Sequence, residues 1–304
     1  MLSKSLKNIR VKYSFEEEID EGMSSSVYRV FFSGNEYALK LFNRDIKDFH
    51  FENELRICRL LCTEENPDFI RYISSSEEEK VCNAKFIVFQ LAEKGTLDNF
   101  ITPKMPLKEK NVKTIFWKLA KMIERLHNLG FCHRDLKLEN IFVEQNFDLK
   151  LGDFGSSKYF LNQNGESRIL IGNVGTPEYA APEMKNNFPY DGQKVDIYSL
   201  GVILLYLRTG KLLFANSKKH SDDISQEKFW DNLSKDCNGL TFPPDFKNLV
   251  TSMLDFNYQN RPDFATIFNN SYFDEIRSHE NFIAAENELR DAFREIDNFL
   301  TIDF

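Results

Sequence analysis

The stretch His133-Arg134-Asp135-Leu136-Lys137-Leu138-Glu139-Asn140 decides how this chain is interpreted, because three other short motifs accompany it in order. Asp153-Phe154-Gly155 follows Asn140 by thirteen positions, and Ala181-Pro182-Glu183 comes later in the chain. Upstream, Tyr37-Ala38-Leu39-Lys40 has the pattern of a β-strand that ends in a lysine. Any one of these motifs alone would be weak evidence, but four of them in this order would seldom arise by chance.

This set resembles the motifs of eukaryotic-type serine/threonine protein kinases: the strand lysine, H-R-D-L-x-x-x-N, D-F-G and A-P-E. The resemblance covers roughly residues 14 to 275. It implies an α+β, bilobal fold, with a small, mainly β N-lobe that holds one key helix and a larger, mainly α C-lobe. We therefore predict an N-terminal lead (1–13), the N-lobe (14–91), the C-lobe (92–275) and an acidic amphipathic C-terminal tail (276–304).

The resemblance implies ATP- and magnesium-dependent phosphoryl transfer to Ser/Thr hydroxyls of protein substrates, a reaction catalysed mainly by positioning and charge neutralisation. By match to the motifs, Asp135 would accept or orient the proton of the attacking hydroxyl, and Lys137 would touch the transferred phosphate. Lys40 would pair with the α- and β-phosphates of ATP. Asn140 and Asp153 would hold Mg²⁺, which prefers hard oxygen ligands.

The family also places a glutamate on the N-lobe helix to pair with the strand lysine. We predict that helix at residues 51–61, where apolar residues recur at three-residue spacing. Glu54 fits the required register best. Glu52 is the alternative, and it lies on another face of the helix.

The loop that should cover the phosphates departs from the family. When Val27 is aligned with the valine of G-x-G-x-x-G-x-V, the three glycine positions hold Asp20, Gly22 and Ser25. Side chains hinder a close approach of the backbone to the phosphates. Asp20 also brings a negative charge near a polyanion. The alternative function is therefore a pseudokinase scaffold with weakened nucleotide binding.

Residues 87–92 resemble the strand that leads into the adenine-binding hinge. Phe89 takes the position that gates the back pocket, and backbone groups near Gln90 and Ala92 would read the adenine edge. The positions that sandwich the adenine ring are matched by Val27, Ala38 and Phe142.

Two further matches imply structural roles. Asp196, in a segment similar to D-x-W-S-x-G, would brace the backbone of the catalytic loop. Arg261 would pair with Glu183 of the A-P-E motif. A buried charge without its partner would be strongly destabilising, so we assign this pair to stability.

The substrate class is indicated by the catalytic loop with Lys137 and by residues 175–179, Gly-Thr-Pro-Glu-Tyr, which resemble serine/threonine rather than tyrosine kinases. Members directed to basic substrates carry acids at several substrate-facing positions. Here the matching positions hold Glu139, Thr96 and Tyr206, so we expect no strong preference for arginine-rich substrates.

Arg134 precedes the catalytic aspartate, an arrangement associated with control by phosphorylation of the activation loop. The usual acceptor position is Gly172, which cannot carry phosphate, and Ser167 is the nearest upstream hydroxyl. In one interpretation a phosphate on Ser167 orders the loop. In the other, the apolar residues 169–171 anchor it without phosphate.

Composition limits the remaining possibilities. The net charge of −8 argues against a broad nucleic-acid surface. No run of 18 apolar residues suggests a membrane span, the N-terminus lacks the apolar core of a signal peptide, and Leu2 stands where myristoylation needs glycine. The five cysteines form no CxxC pair, as expected of reduced thiols in a cytoplasmic or nuclear protein.

The tail is predicted to contain a helix with one apolar face among many acids. We expect this helix to dock on its own domain, and the alternative is a segment that binds a partner or inhibits the enzyme. The apolar face consists of Phe282, Ala285, Leu289, Phe293, Ile296 and Leu300.

Overall fold

The computed structural model describes residues 9–22, 24–79, 84–102, 105–185, 188–213 and 224–302. The chain divides into two compact units, the first made of residues 1–95 and 142–155 and the second of residues 96–141 and 156–304. The predicted lobe boundary, after residue 91, thus lies slightly earlier than the observed one, and residues 142–155 join the first unit. Residues 1–8 of the predicted lead, Cys82 and the last two residues of the tail lie outside the described residues.

The first unit contains a five-stranded antiparallel sheet, in the order β1-β2-β3-β5-β4. One face is apolar and fully buried at Val30, Leu39, Phe86 and Val88. Ile9, from a helical turn at residues 9–12, packs on the same face. The strands are β1 (Ser14–Glu21), β2 (Ser25–Phe32), β3 (Asn35–Phe42), β4 (Tyr72–Ser75) and β5 (Phe86–Gln90).

Helix α1 (Asp48–Leu61) belongs to the same unit and packs its buried face against the sheet. Phe51 and Leu55 pack with Phe42 and Ile87 of the sheet. This packing turns Glu54 inward, where the residue is 2% exposed. The unit also contains a helical turn, α2 (Ser76–Glu79), the short strand β8 (Leu149–Leu151) and all but the first residue of β7 (Ile141–Val143), which pairs with β8.

The second unit is mainly helical. Its centre is formed by α3 (Glu109–Asn128) and α5 (Gly192–Thr209), which pack on each other. Nearly the whole of α5 is buried, whereas α3 buries one apolar stripe. The other elements are β6 (Phe131–Cys132), β9 (Lys158–Tyr159), α4 (Pro182–Lys185), α6 (Glu227–Asp236), α7 (Pro244–Met253), α8 (Phe264–Phe268), α9 (His279–Ile302) and 3₁₀ turns at Leu97–Phe100, Leu138–Asn140, Tyr258–Asn260 and Ser271–Ile276, while Phe154–Ser156 forms another at the boundary of the units.

The tail helix α9 docks on its own unit, as expected. Ala285, Leu289, Phe293 and Ile296 are buried to 2% exposure or less. The ring of Phe293 lies 4.8 Å from that of Phe100, measured between centroids. The acidic face of α9 pairs with lysines of α3, through Lys110–Glu288 and Lys118–Glu286, each at 2.6 Å.

No helix in the described part of the chain combines the length and the apolar character needed to cross a membrane.

Candidate active site

The first unit brings the strand lysine together with two carboxylates. Lys40 Nζ lies 2.7 Å from Glu54 Oε1 and 2.8 Å from Asp153 Oδ1. The predicted pairing of Lys40 with Glu54 is therefore confirmed, and the alternative residue Glu52 is exposed to solvent. These three residues come from β3, α1 and the D-F-G motif, so the tertiary fold of the unit assembles the cluster.

The charged groups of this cluster shift one another's pKa values. Burial lowers the pKa of Lys40, but the carboxylates of Asp153 and Glu54 outweigh it and raise the pKa overall, so the amine stays charged. Burial raises the pKa of Glu54 above its usual value, although Lys40 opposes that shift. Lys40 is thus a largely buried cation whose position is fixed by two carboxylates.

The D-F-G segment is shaped by its contacts within the first unit. Asp153 has a φ of 54°, in the left-handed region that ordinary residues seldom occupy. Phe154 is fully buried and meets the ring of Phe69 edge-on at 5.6 Å between centroids. A Cβ on Gly155 would lie 2.9 Å from Glu54 Oε2, so a side chain there would crowd the carboxylate that holds Lys40.

In the second unit, the catalytic loop is held by Asp196, as predicted. Its carboxylate accepts hydrogen bonds from the backbone N–H groups of His133 and Arg134, each at 2.8 Å. Asp196 is fully buried, and its Oδ2 also lies 2.8 Å from Nε2 of His127. These bonds compensate for burying the charge and hold Arg134 at a φ of 67°.

Asp135 is oriented by Thr176, a residue to which the motifs assigned no role. The backbone N–H and the hydroxyl of Thr176 both donate to Asp135 Oδ1, each at 2.8 Å. Gly175 has a φ of +87°, and a Cβ there would lie 2.4 Å from the Arg134 carbonyl oxygen. Glycine before threonine is therefore the sequence signal that marks this close approach.

Lys137 and Asn140 complete the catalytic loop. Lys137 Nζ lies 3.8 Å from Asp135 Oδ2 and donates to the Thr176 hydroxyl at 3.1 Å. The amide nitrogen of Asn140 donates to the Asp135 carbonyl at 2.8 Å, which leaves the amide oxygen as the acceptor. The loop therefore presents one carboxylate oxygen, one ammonium group and one amide oxygen.

Asn140, in the second unit, and Asp153, in the first, each carry an oxygen of the kind that Mg²⁺ prefers. An amide oxygen and a carboxylate are hard oxygen ligands, and the Asp153 side chain is 38% exposed. Among the residues that the structure describes, no three or more His, Cys, Asp or Glu side chains are grouped as a metal site. Mg²⁺ usually needs only one or two carboxylates when substrate phosphates and water supply the other ligands.

The residues matched to adenine recognition lie in the first unit. Ala38 on β3 is the direct cross-strand partner of Phe89 on β5. The Gln90 N–H donates to the Arg71 carbonyl at 2.9 Å, and the Ala92 carbonyl accepts from Gly95 at 3.1 Å. The Gln90 N–H is thus already engaged within the first unit. Val27 and Phe142 are also in this unit and are partly buried.

The glycine-poor loop lies between β1 and β2. Gly22 donates its N–H to the Ser25 carbonyl at 2.9 Å. Ser25 is 7% exposed and already belongs to β2, whereas Asp20 is exposed and pairs with Val27 across the two strands. Of the two substituted glycine positions, only Asp20 therefore presents its side chain to solvent.

The A-P-E glutamate forms the predicted pair with Arg261. Glu183 binds the guanidinium through two hydrogen bonds, at 2.6 and 2.9 Å. Arg261 also donates to the carbonyls of Asp255 and Lys194. The arginine side chain has no exposed surface, and this paired arrangement agrees with a structural role.

The expectation that residues 169–171 anchor the activation segment through apolar packing is only partly correct. Leu170 is 3% exposed, but Ile169 and Ile171 are 55% and 61% exposed. Leu170 instead exchanges two backbone hydrogen bonds with Tyr190, at 2.8 and 2.9 Å. Because side chains alternate along an extended segment, one inward residue leaves its two neighbours outside.

The fold is α+β with two lobes. The sheet lobe holds a lysine–glutamate pair, and the helical lobe holds an ordered H-R-D loop. These features together define the class of protein kinases. A family model described as protein kinase domain matches residues 13–273. The chain therefore belongs to the protein kinase domain family.

Relatives of this chain are serine/threonine kinases. NUAK family SNF1-like kinase 1 of Mus musculus is 31% identical over 270 residues, which are 86% of this chain and 38% of that protein. The calcium/calmodulin-dependent protein kinase type II alpha chain of Drosophila melanogaster is 32% identical over 82% of this chain and 47% of its own length. Serine/threonine-protein kinase chk1 of Schizosaccharomyces pombe is 33% identical over 62% of this chain. The chain thus spans less than half the length of the two relatives that cover most of it.

Proposed function

We propose that this protein transfers the γ-phosphoryl group of ATP, with Mg²⁺, to serine or threonine hydroxyls of protein substrates. The observation that carries the proposal is the cluster in which a charged Lys40 is held by Glu54 and Asp153. A scaffold that had also lost nucleotide binding would have no need to keep a largely buried lysine and two carboxylates in this arrangement. The relatives that are serine/threonine kinases support the same reaction.

The substrate hydroxyl oxygen forms a bond to the γ-phosphorus as the bond from that phosphorus to the bridging oxygen breaks. Asp135 takes or orients the hydroxyl proton through Oδ2, because its Oδ1 already accepts two bonds from Thr176. Lys137, whose ammonium lies 3.8 Å from that oxygen, offsets charge on the transferred group.

Further residues are assigned to the nucleotide by their match to the motifs of the family. Lys40 would pair with the α- and β-phosphates, and Asn140 and Asp153 would supply oxygen ligands to Mg²⁺. Backbone groups near Gln90 and Ala92 read the adenine edge, with Val27, Ala38 and Phe142 around the ring. Phe89 gates the pocket behind it.

A pseudokinase scaffold is the second candidate, and the glycine-poor loop favours it. Asp20 places an exposed carboxylate in the strand that leads into this loop. On this alternative the protein binds nucleotide weakly and signals through its partners. Measured phosphoryl transfer separates the two candidates.

We further propose a cytoplasmic or nuclear location and protein substrates as partners. Cys58, Cys62, Cys132 and Cys237 are free thiols, which supports a reducing compartment.

The test is incubation with labelled ATP and Mg²⁺, followed by phosphosite mapping on generic protein substrates and on the protein itself. We expect incorporation into serine and threonine, and loss of it in both Asp135→Asn and Asp153→Asn. Asp231→Asn, at an exposed position of α6, is the matched control and should behave like wild type. Nucleotide binding without any transfer by the wild type would instead establish the scaffold.

A further inference from the structure

Arg134 is the residue through which an activation-segment phosphate would act, yet its guanidinium is already engaged. Nε donates to the Ser156 carbonyl at 2.7 Å, and a terminal nitrogen donates to the Tyr190 hydroxyl at 3.0 Å. Among the residues that the structure describes, these two neutral oxygens are the partners of the guanidinium. The first of them lies directly after the D-F-G motif.

Tyr190 joins this arginine to the activation segment. Its hydroxyl accepts from Arg134, while its backbone exchanges two hydrogen bonds with Leu170. Tyr190 has no exposed surface, and Leu170 is 3% exposed. One residue thus connects the catalytic loop to the part of the segment where a phosphate would otherwise be needed.

Side chains pack closely around the start of α5, two residues after Tyr190. A Cβ on Gly192 would lie 2.6 Å from Cys132 Sγ and 3.0 Å from Leu170 Cδ1, so these side chains fill the space beside the helix start. Cys132 also donates to the Lys158 carbonyl at 3.4 Å and precedes the catalytic loop. The position at which the family usually carries phosphate holds Gly172, with a φ of +138° and open space around it.

We propose that Tyr190 is a positioning residue for phosphoryl transfer, whose hydroxyl holds Arg134 and thereby orders the activation segment without phosphate. The inference rests on the proposed kinase function. Burial raises the pKa of Tyr190, against the opposing influence of the Arg134 charge, so the hydroxyl remains neutral at physiological pH. A neutral acceptor orders the segment permanently, whereas a phosphate would make the order reversible.

The first test compares Tyr190→Phe with Tyr272→Phe in the full chain. Tyr272 is a matched control because it is 1% exposed and its hydroxyl has no hydrogen-bond partner among the described residues. Tyr190→Phe should lower kcat by about tenfold to hundredfold, the size expected for losing one hydrogen bond to a charged group. Tyr272→Phe should leave kcat unchanged, and equal kcat in all three proteins would overturn the proposal.

A double-mutant cycle separates positioning through Arg134 from a general effect on stability. If Tyr190 acts through the guanidinium, Tyr190→Phe should cost little further activity in an Arg134→Gln background. Independent, additive losses in the double variant would instead show that Tyr190 acts by another route.

The second test does not need catalysis, so it separates failure of this inference from failure of the kinase function. Trypsin cleavage after Arg168, an exposed residue in the segment, reports its order directly. We expect Tyr190→Phe to be cleaved several times faster than wild type and Tyr272→Phe to match wild type. We expect complete phosphatase treatment of wild type, verified by mass spectrometry, to change neither cleavage nor kcat. Faster cleavage after phosphatase treatment would show that phosphate, rather than Tyr190, orders the segment.

Discussion

Thr176 donates two hydrogen bonds to Oδ1 of Asp135, one from its backbone N–H and one from its hydroxyl, both at 2.8 Å. The second carboxylate oxygen, Oδ2, lies 3.8 Å from Lys137 Nζ. Thr176 thus binds one carboxylate oxygen of Asp135, the proposed base, and leaves the other oxygen facing the ammonium group of Lys137. The different roles of the two carboxylate oxygens depend on glycine at position 175. A side chain there would clash with the Arg134 carbonyl oxygen, so only glycine lets the backbone come this close.

Thr176→Val should lower kcat while leaving the KM for ATP nearly unchanged. The variant keeps the shape and the backbone bond but loses the hydroxyl donor, so Asp135 is held less firmly. We expect a decrease of about tenfold to hundredfold, measured by steady-state kinetics with a protein substrate. Thr176→Ser is the control, because it retains the hydroxyl and should keep most of the activity. A fully active Thr176→Val protein would show that Asp135 does not depend on this bond.

Lys40→Met should abolish transfer and make stability depend on pH. Without the lysine, the pKa of buried Glu54 should rise further above its usual value. A folded-state pKa above the unfolded value means that the folded protein binds more protons, so stability falls as pH rises through that range. We therefore expect the Tm of Lys40→Met to be higher near about pH 5 than near about pH 8. Adding Glu54→Gln should remove the effect attributable to Glu54, and its persistence would place the titrating group elsewhere.

Asp20→Asn should lower the KM for ATP by about threefold at low salt, with a smaller effect at high salt, because it removes one negative charge near a polyanion. Glycine at both Asp20 and Ser25 is a less clean test, since Ser25 is buried in β2. Glu16→Gln, at an exposed position of the same strand, is the control and should change KM less. An equal effect of both substitutions would point to general charge rather than to the loop.

Phe293→Ala should lower the free energy of unfolding by about 3 to 5 kcal/mol, the usual cost of truncating a buried phenylalanine. The Phe293 side chain has no exposed surface, whereas Ile283, on the same helix α9, is 45% exposed. Ile283→Ala should therefore change stability by less than about 0.5 kcal/mol. Denaturant unfolding of both variants measures the difference. Equal, small effects would mean that α9 contributes little to the stability of its unit.

Local sequence patterns were sufficient to predict several of the helices and strands. Apolar spacing located α1 and α9, and the motif patterns at Tyr37–Lys40 and residues 87–92 located β3 and β5, to within a few residues. Strand β1 was not predicted as a strand, because its sequence Ser-Phe-Glu-Glu-Glu-Ile-Asp-Glu is acidic and largely exposed at the sheet edge. Strand β4 begins only at Tyr72, and Phe69 before it forms an isolated bridge with Leu151.

Residue types at motif positions identified the family and the groups able to do its chemistry, because phosphoryl transfer restricts which side chains can serve there. From the sequence we could therefore identify the candidate site residues Lys40, Glu54, Asp135, Asn140 and Asp153. Only the tertiary structure assigned Thr176 to Asp135 and Tyr190 to Arg134, since these pairs are separated by 41 and 56 positions. A threonine or a tyrosine has no fixed role in the sequence. Its role is decided by which charged group the fold places within hydrogen-bond distance of its hydroxyl.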